Sequence, residues 1–239
     1  MFKFRCSSLG ELMGDAQSID PAYLTEELAV ISRKTKKTDE EKALLEPLKI
    51  KSLSSGAKSA VEREAKQLVY GYSETFSSKY TEKGTLVEGD SLALYNSVFF
   101  TSHVKNTERR TNEWITGEPD IFTGRKIIDL KSCWSLPTFP ATAAQGRDST
   151  YEWQVRGYMW LWEVEQAEIA YCMVNTPDEL IGYESTDIHY VDHIDPLLRV
   201  TRVQYGRDPL LEDRIRIKVE AANRYLDSIV KQIAAEHAG

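Results

Sequence analysis

One stretch constrains the fold more than any other: residues 117 to 132, Gly-Glu-Pro-Asp-Ile-Phe-Thr-Gly-Arg-Lys-Ile-Ile-Asp-Leu-Lys-Ser. Thr123-Gly124-Arg125-Lys126 reads as a hairpin turn, with strand-forming Phe122 and Ile127-Ile128 on either side. Two antiparallel strands joined there bring Asp120, which follows a proline, close to Asp129. Alternation along the second strand points Asp129 and Lys131 one way and Leu130 into the core. Two carboxylates and an ammonium then share one sheet face. Such a face suits a hard divalent cation and an oxyanion. It equally suits an exposed hairpin with surface charges, and the stretch alone does not choose.

The rest of the chain bounds the choice. Its 239 residues, 41% hydrophobic and 10% aromatic, are enough for one large domain with a sizeable core. No apolar run approaches a membrane span, and the first residues lack the charged-then-apolar pattern of a signal peptide. No membrane partner and a cytoplasmic location are therefore expected. Cys6, Cys133 and Cys172 are odd in number and widely spaced. That argues against a disulfide framework and against a zinc or iron–sulfur site. The net charge of −7 does not advertise nucleic-acid binding. The cations nevertheless cluster, at Arg33 to Lys37, Arg109-Arg110, Arg199 to Arg207 and Arg214 to Lys218. Each cluster reads as a solvated face or as part of a local DNA channel.

Taken in order, Ser8 with Glu11 fits a capping box and a short helix, whose free amides suit a phosphate or simply an ordinary cap. Residues 21 to 50 read as helix broken by the basic stretch 32 to 38, with Pro21 at a first helical position. Residues 55 to 70 form an amphipathic helix ended by Gly71. Residues 78 to 96 read as one further helix, with Gly84 and Glu88 on one face. Gly84 and Gly89 each cost about 1 kcal/mol relative to alanine, which suggests close approach to a sheet or a ligand; Glu88 by itself reads as a surface glutamate. Strand-like runs follow over 97 to 104 and 109 to 116, then the hairpin, then a loop over 135 to 147. Residues 149 to 166 are a helix with Gln154 and Tyr158 at i and i+4. Residues 168 to 175 read as strand, 186 to 205 as further strand segments, and 208 to 236 as a closing helix. His103, His189, His193 and His237 show no metal-type spacing, and no glycine-rich phosphate loop or nucleophile elbow is present.

The order of the pieces is more specific than any one of them. A helix with Glu88, a hairpin with Asp120 and Asp129-Leu130-Lys131, then a helix with Gln154 and Tyr158 resembles the PD-(D/E)xK nuclease superfamily. The glycine–glutamate helix and the Gln-x-x-x-Tyr helix are similar to its RecB and lambda-exonuclease branch. The opening Arg5-Cys6-Ser7-Ser8-Leu9-Gly10 is similar to the first segment of YqaJ-type phage recombination exonucleases. The resemblance covers roughly Arg5 to Leu161. It lacks the cysteine cluster of the iron–sulfur members, and the basic insert near residues 33 to 37 has no counterpart in it.

The resemblance implies an α/β restriction-endonuclease-like core, a central mixed sheet flanked by helices, with a helical N-terminal extension. The expected layout is one nuclease domain: a mainly helical part over 1–75, a catalytic core over 76–205 and a C-terminal helix over 206–239. It implies a Mg²⁺-dependent DNA exonuclease, with Mn²⁺ as the other candidate ion, acting on linear double-stranded ends in phage-type recombination. An endonuclease, a single-strand-specific nuclease and a silent DNA-binding module are the alternatives. Asp120, Asp129, the Leu130 carbonyl and Glu88 would bind the metal. Lys131 would position or activate the attacking water, and Gln154 and Tyr158 would orient the scissile phosphate or the bound waters. Arg5, Ser7 and Ser8 would contact a terminal phosphate. A single-strand annealing protein as partner and a ring trimer follow by analogy alone.

Overall fold

The computed structural model describes residues 1–74 and 77–237. The expected boundary between residues 75 and 76 falls outside the described residues. In chain order the elements are β1 (Phe4–Arg5), α1 (Leu9–Leu12), α2 (Glu26–Arg33), α3 (Asp39–Lys51), α4 (Ser55–Tyr70), α5 (Lys79–Leu86), α6 (Glu88–Phe99), β2 (Arg110–Thr111) and β3 (Ile115–Gly117). They continue with β4 (Ile121–Phe122), β5 (Lys126–Ser132), α7 (Ser149–Trp162), β6 (Gln166–Cys172), α8 (Asp178–Ile181), β7 (Val200–Gly206) and α9 (Pro209–His237). The chain forms two compact units. Among the described residues, one comprises 1–74, 111–116 and 208–237; the other comprises 77–110 and 117–207.

The first unit is helical with a small sheet in the order β1-β3-β2, in which Phe4 and Arg5 pair in parallel with Ile115 and Thr116. Ala57, Ala60, Val61 and Ala65 recur on one face of α4 and are buried. Their small side chains let α9 pack close, burying its Ile215, Val219, Ala222 and Leu226. Gly71, in the left-handed region at φ 67°, ends α4 as its position predicts. The basic break after α2 is confirmed, and Thr38 starts α3 with a capping box to Glu41. At Ser8 the expected capping box is not formed. A 3-10 turn over Cys6–Ser8 runs directly into α1, so Ser8 already has helical φ and ψ and makes no side-chain cap. Glu11 pairs instead with Arg63.

The second unit is built on a four-stranded sheet in the order β4-β5-β6-β7, antiparallel, parallel and antiparallel. The parallel pair needs a long crossover, and α7 supplies it. Even-numbered residues of β5 and β6 face α6: Ile128, Ala170 and Cys172 join Val87, Leu94, Tyr95 and Val98 in one apolar cluster, with half-buried Leu130 against it. Odd-numbered residues of β5 face α7, where Asp129 meets Gln154.

Three expectations change here. Residues 78 to 96 are two helices, because Val87 leaves the helical region at φ −107° and ψ 16°. Val98 and Phe99 finish α6 instead of opening a strand, since Val98 extends the buried Leu94–Tyr95 stripe one turn further. Residues 188 to 191 form no strand. A 3-10 turn leads into His189, which is buried against Thr176, the Trp134 carbonyl and Glu184. Among the described residues no helix is long and apolar enough to cross a membrane.

Candidate active site

The hairpin forms in the register its turn predicts. Ile121 faces Ile128 and Phe122 faces Ile127, so one step further places Asp120 opposite Asp129. Gly124 takes the turn at φ 83°. The Leu130 amide donates to Asp120 Oδ2 at 2.7 Å, which ties the carboxylate to the strand carrying Asp129. The Asp120 carbonyl accepts from the Asn106 amide at 2.7 Å, fixing the backbone behind it.

Helix α7 brings the next pair of side chains. Asp148 caps it, accepting from the amides of Thr150 and Tyr151 at 2.7 and 3.2 Å. One turn on, Gln154 is only 8% exposed. Its Nε2 donates to Asp129 Oδ1 at 3.3 Å and to the Tyr158 hydroxyl at 3.0 Å, while its Oε1 accepts from Lys131 Nζ at 3.1 Å. Lys131 Nζ also stands 2.7 Å from Asp129 Oδ2 and 4.3 Å from the centre of the Tyr151 ring. Asp129, Lys131, Gln154 and Tyr158 thus form one connected polar network.

The third contribution is from α5 and α6. The break at Val87 places Glu88 in the first turn of α6. Glu88, Gly84, Lys105, Asp120, Leu130, Lys131 and Tyr151 line a single cavity of about 560 Å³. A methyl group added at Gly84 or Gly89 meets nothing within 4 Å. The glycines therefore do not serve close packing against the sheet, and at Gly84 the space is open cavity.

The electrostatics are those of crowded carboxylates. Burial and the neighbouring negative charge of Asp129 push the Asp120 carboxyl up to about 7, against the Leu130 amide and Lys131, which favour the ionised form. Burial works against the Lys131 ammonium, but Asp129 beside it more than compensates and holds it above the usual lysine range. Asp129 is 2% exposed. Its Oδ1 accepts from Gln154 at 3.3 Å and its Oδ2 is ion-paired with Lys131 Nζ at 2.7 Å.

Among the described residues no three His, Cys, Asp or Glu side chains close on a common point as ready metal ligands. Each carboxylate has its own neighbour: Lys105 at Glu88, the Leu130 amide at Asp120 and Lys131 at Asp129. The donor set still suits a hard divalent cation. All the side-chain oxygens come from carboxylates, and burial together with the charge of Asp129 raises the Asp120 carboxyl to about 7, a crowding that a bound cation would offset.

The structure brings together Glu88, Asp120, Asp129, Leu130, Lys131, Gln154 and Tyr158. Arg5, Ser7 and Ser8 lie in the first unit, where Arg5 and Ser7 are exposed and Ser8 is half-buried. Two site residues had no place in the sequence reading. Tyr151 sits three residues before Gln154, and that helical spacing was a usable signal. Lys105 follows a run that reads as strand, and no spacing connected it to Glu88.

No protein-family model matches the sequence, and no curated protein matches it significantly. Solved structures do. A phage-related exonuclease from Haemophilus somnus 129PT is 32% identical over 97% of this chain and 96% of its own, with a TM-score of 0.79. The alkaline exonuclease LHK-Exo from Laribacter hongkongensis, solved alone and in complex with dAMP, shares the fold. It is 14–15% identical, with TM-scores of 0.61 and 0.62 over 99% of this chain and 93% of its own.

Proposed function

Because the chain belongs to the lambda-exonuclease branch of the PD-(D/E)xK nucleases, the branch of phage-type recombination exonucleases, we propose that it digests linear double-stranded DNA from its ends in a Mg²⁺-dependent reaction. Nuclease activity is the coarse expectation for such a fold. The end-directed part of the reading draws on the exonuclease neighbours, and the phosphodiester chemistry on one observation above all, the network of Asp129, Lys131, Gln154 and Tyr158 set opposite Asp120.

Asp120, Asp129 and Glu88, with the Leu130 carbonyl, would hold the cation. When bound, it supplies a water of lowered pKa and neutralises charge on the phosphoryl oxygens. The chain's own residues do the rest. Lys131, held by Asp129 and Gln154, presents a compact positive charge to a non-bridging oxygen. Gln154 fixes that lysine and Asp129 relative to each other through its two amide atoms. Tyr158 holds the Gln154 amide from the far side. A bound cation would also offset the burial and the Asp129 charge that together raise the Asp120 carboxyl.

The test compares linear duplex, closed circular duplex and single-stranded DNA, each with Mg²⁺ and with chelator. Release of nucleotides from the linear duplex alone, only with Mg²⁺, is the expected result. Cleavage of closed circles would make the protein an endonuclease, and preference for single strands would replace the duplex-end reading. Binding without any nucleotide release would leave a DNA-binding module.

A further inference from the structure

We infer that Lys105 is a second phosphate-binding lysine of this centre, contacting the DNA backbone beside the bond that is cut; the inference rests on the nuclease reading above. Among the described residues lining the cavity, Lys105 and Lys131 are the two cations. Lys131 is committed inward, between Asp129 and Gln154. Lys105 is 54% exposed and pairs with Glu88 across the cavity rim.

The backbone that carries Lys105 is fixed on both sides. Upstream, Asn96 of α6 donates to the His103 carbonyl at 2.9 Å and accepts from the His103 amide at 2.9 Å and the Thr101 hydroxyl at 2.8 Å. Downstream, the Asn106 amide donates to the Asp120 carbonyl, and its side chain donates to the carbonyls of Pro119 at 3.1 Å and Glu108 at 2.8 Å. Lys105 therefore stands directly beside the residue bonded to the Pro119–Asp120 peptides. A lysine that only solvates a surface does not need two asparagines to hold its flanks. Anything that neutralises Glu88 releases the ammonium, and the anion entering this cavity is a phosphodiester. A flexible four-carbon stem ending in a point charge suits that contact.

Loss of Lys105 also exposes Glu88, which by itself would repel DNA. The test separates the two effects by working in a Glu88→Gln background, with chelator present and no turnover. Affinity for a short labelled duplex is measured against salt concentration. Adding Lys105→Met is expected to weaken binding equally for unrelated sequences, and to lower the slope of log affinity against log salt by about one. Lys105→Arg, which keeps the charge, should restore the slope. Equal affinity and slope with and without Lys105→Met would show that Lys105 only neutralises Glu88, and would overturn the inference. Failure of Lys105→Arg to restore the slope would overturn it as well. Wild-type digestion of DNA with an unchanged slope defeats this inference alone. A changed slope in a protein that releases no nucleotide defeats the nuclease reading and leaves the phosphate contact standing.

Discussion

The sheet of the second unit holds two groups of buried acid on adjacent strands, and they are opposites. Glu168 on β6 is fully buried and faces α6. Its oxygens receive the Tyr95 hydroxyl at 2.5 Å and Lys126 Nζ at 3.0 Å, with Arg202 at 3.8 Å. Asp129 on β5 faces α7 and is nearly as buried, yet Asp120, just before β4, crowds it, and the one cation beside it, Lys131, lines the cavity with Asp120. Burial is therefore not what separates structure from chemistry in this molecule. A buried carboxylate whose partners are complete ties elements together. Two carboxylates crowded at the wall of a cavity, with a single lysine beside them, hold capacity for a cation from outside.

The sharpest way to break that contrast is to neutralise one acid of each group. Asp129→Asn should lower DNA digestion by roughly 10³-fold or more with a melting temperature close to that of the wild type, and Lys131→Ala, which strands the buried Asp129 carboxylate, should lose digestion to a similar extent at some cost in stability. Digestion at the wild-type rate by either variant would remove these residues from the site. Glu168→Ala should do the reverse. It strands the Tyr95 hydroxyl and two half-exposed cations, and should cost about 2–4 kcal/mol in chemical denaturation while leaving the activity per folded molecule unchanged. Loss of activity without loss of stability there would dissolve the distinction.

A third measurement uses pH, in the presence of chelator. The Asp120 carboxyl titrates at about 7 in the folded protein against 3.8 ordinarily. The folded state therefore keeps a proton that the unfolded state has lost. Stability should fall as pH rises from about 4 to about 7. Relative to wild type, Asp120→Asn should remove a decline on the order of 2–4 kcal/mol. An identical pH profile in the variant would show that Asp120 is not under this strain. The smallest expected effect is at Gly84. Ala fits there without contact and should stabilise α5 by up to about 1 kcal/mol, with kcat unchanged. A rise in KM alone would show that substrate passes through the open space beside the helix.

Much of the site was legible in the amino-acid order because its main spacings are local. Nine residues around a tight turn bring Asp120 to Asp129, two residues along a strand put Lys131 beside Asp129, and four along a helix stack Tyr158 on Gln154. The helix boundary at Gly71 was legible for the same reason. The exceptions had two different causes. Val98-Phe99 is apolar enough for either strand or helix, and only packing against the sheet decides. Ser8 has the residues of a capping box, but the 3-10 turn before it removes the extended conformation a cap requires.

What no local rule carries is everything that depends on two distant segments meeting. The pairing of Lys105 with Glu88 needs the loop after α6 to fold back and be pinned by Asn96 and Asn106. The complete satisfaction of Glu168 needs residues from α6, β5 and β7, and the network at Asp129 needs Gln154 to arrive from α7. Sequence determined which groups this protein has for phosphodiester chemistry and the short-range geometry that pairs them. Only the tertiary structure decided which of its buried charges are answered, because a hydrogen bond between strand and helix is settled by packing at ångström resolution and not by spacing along the chain.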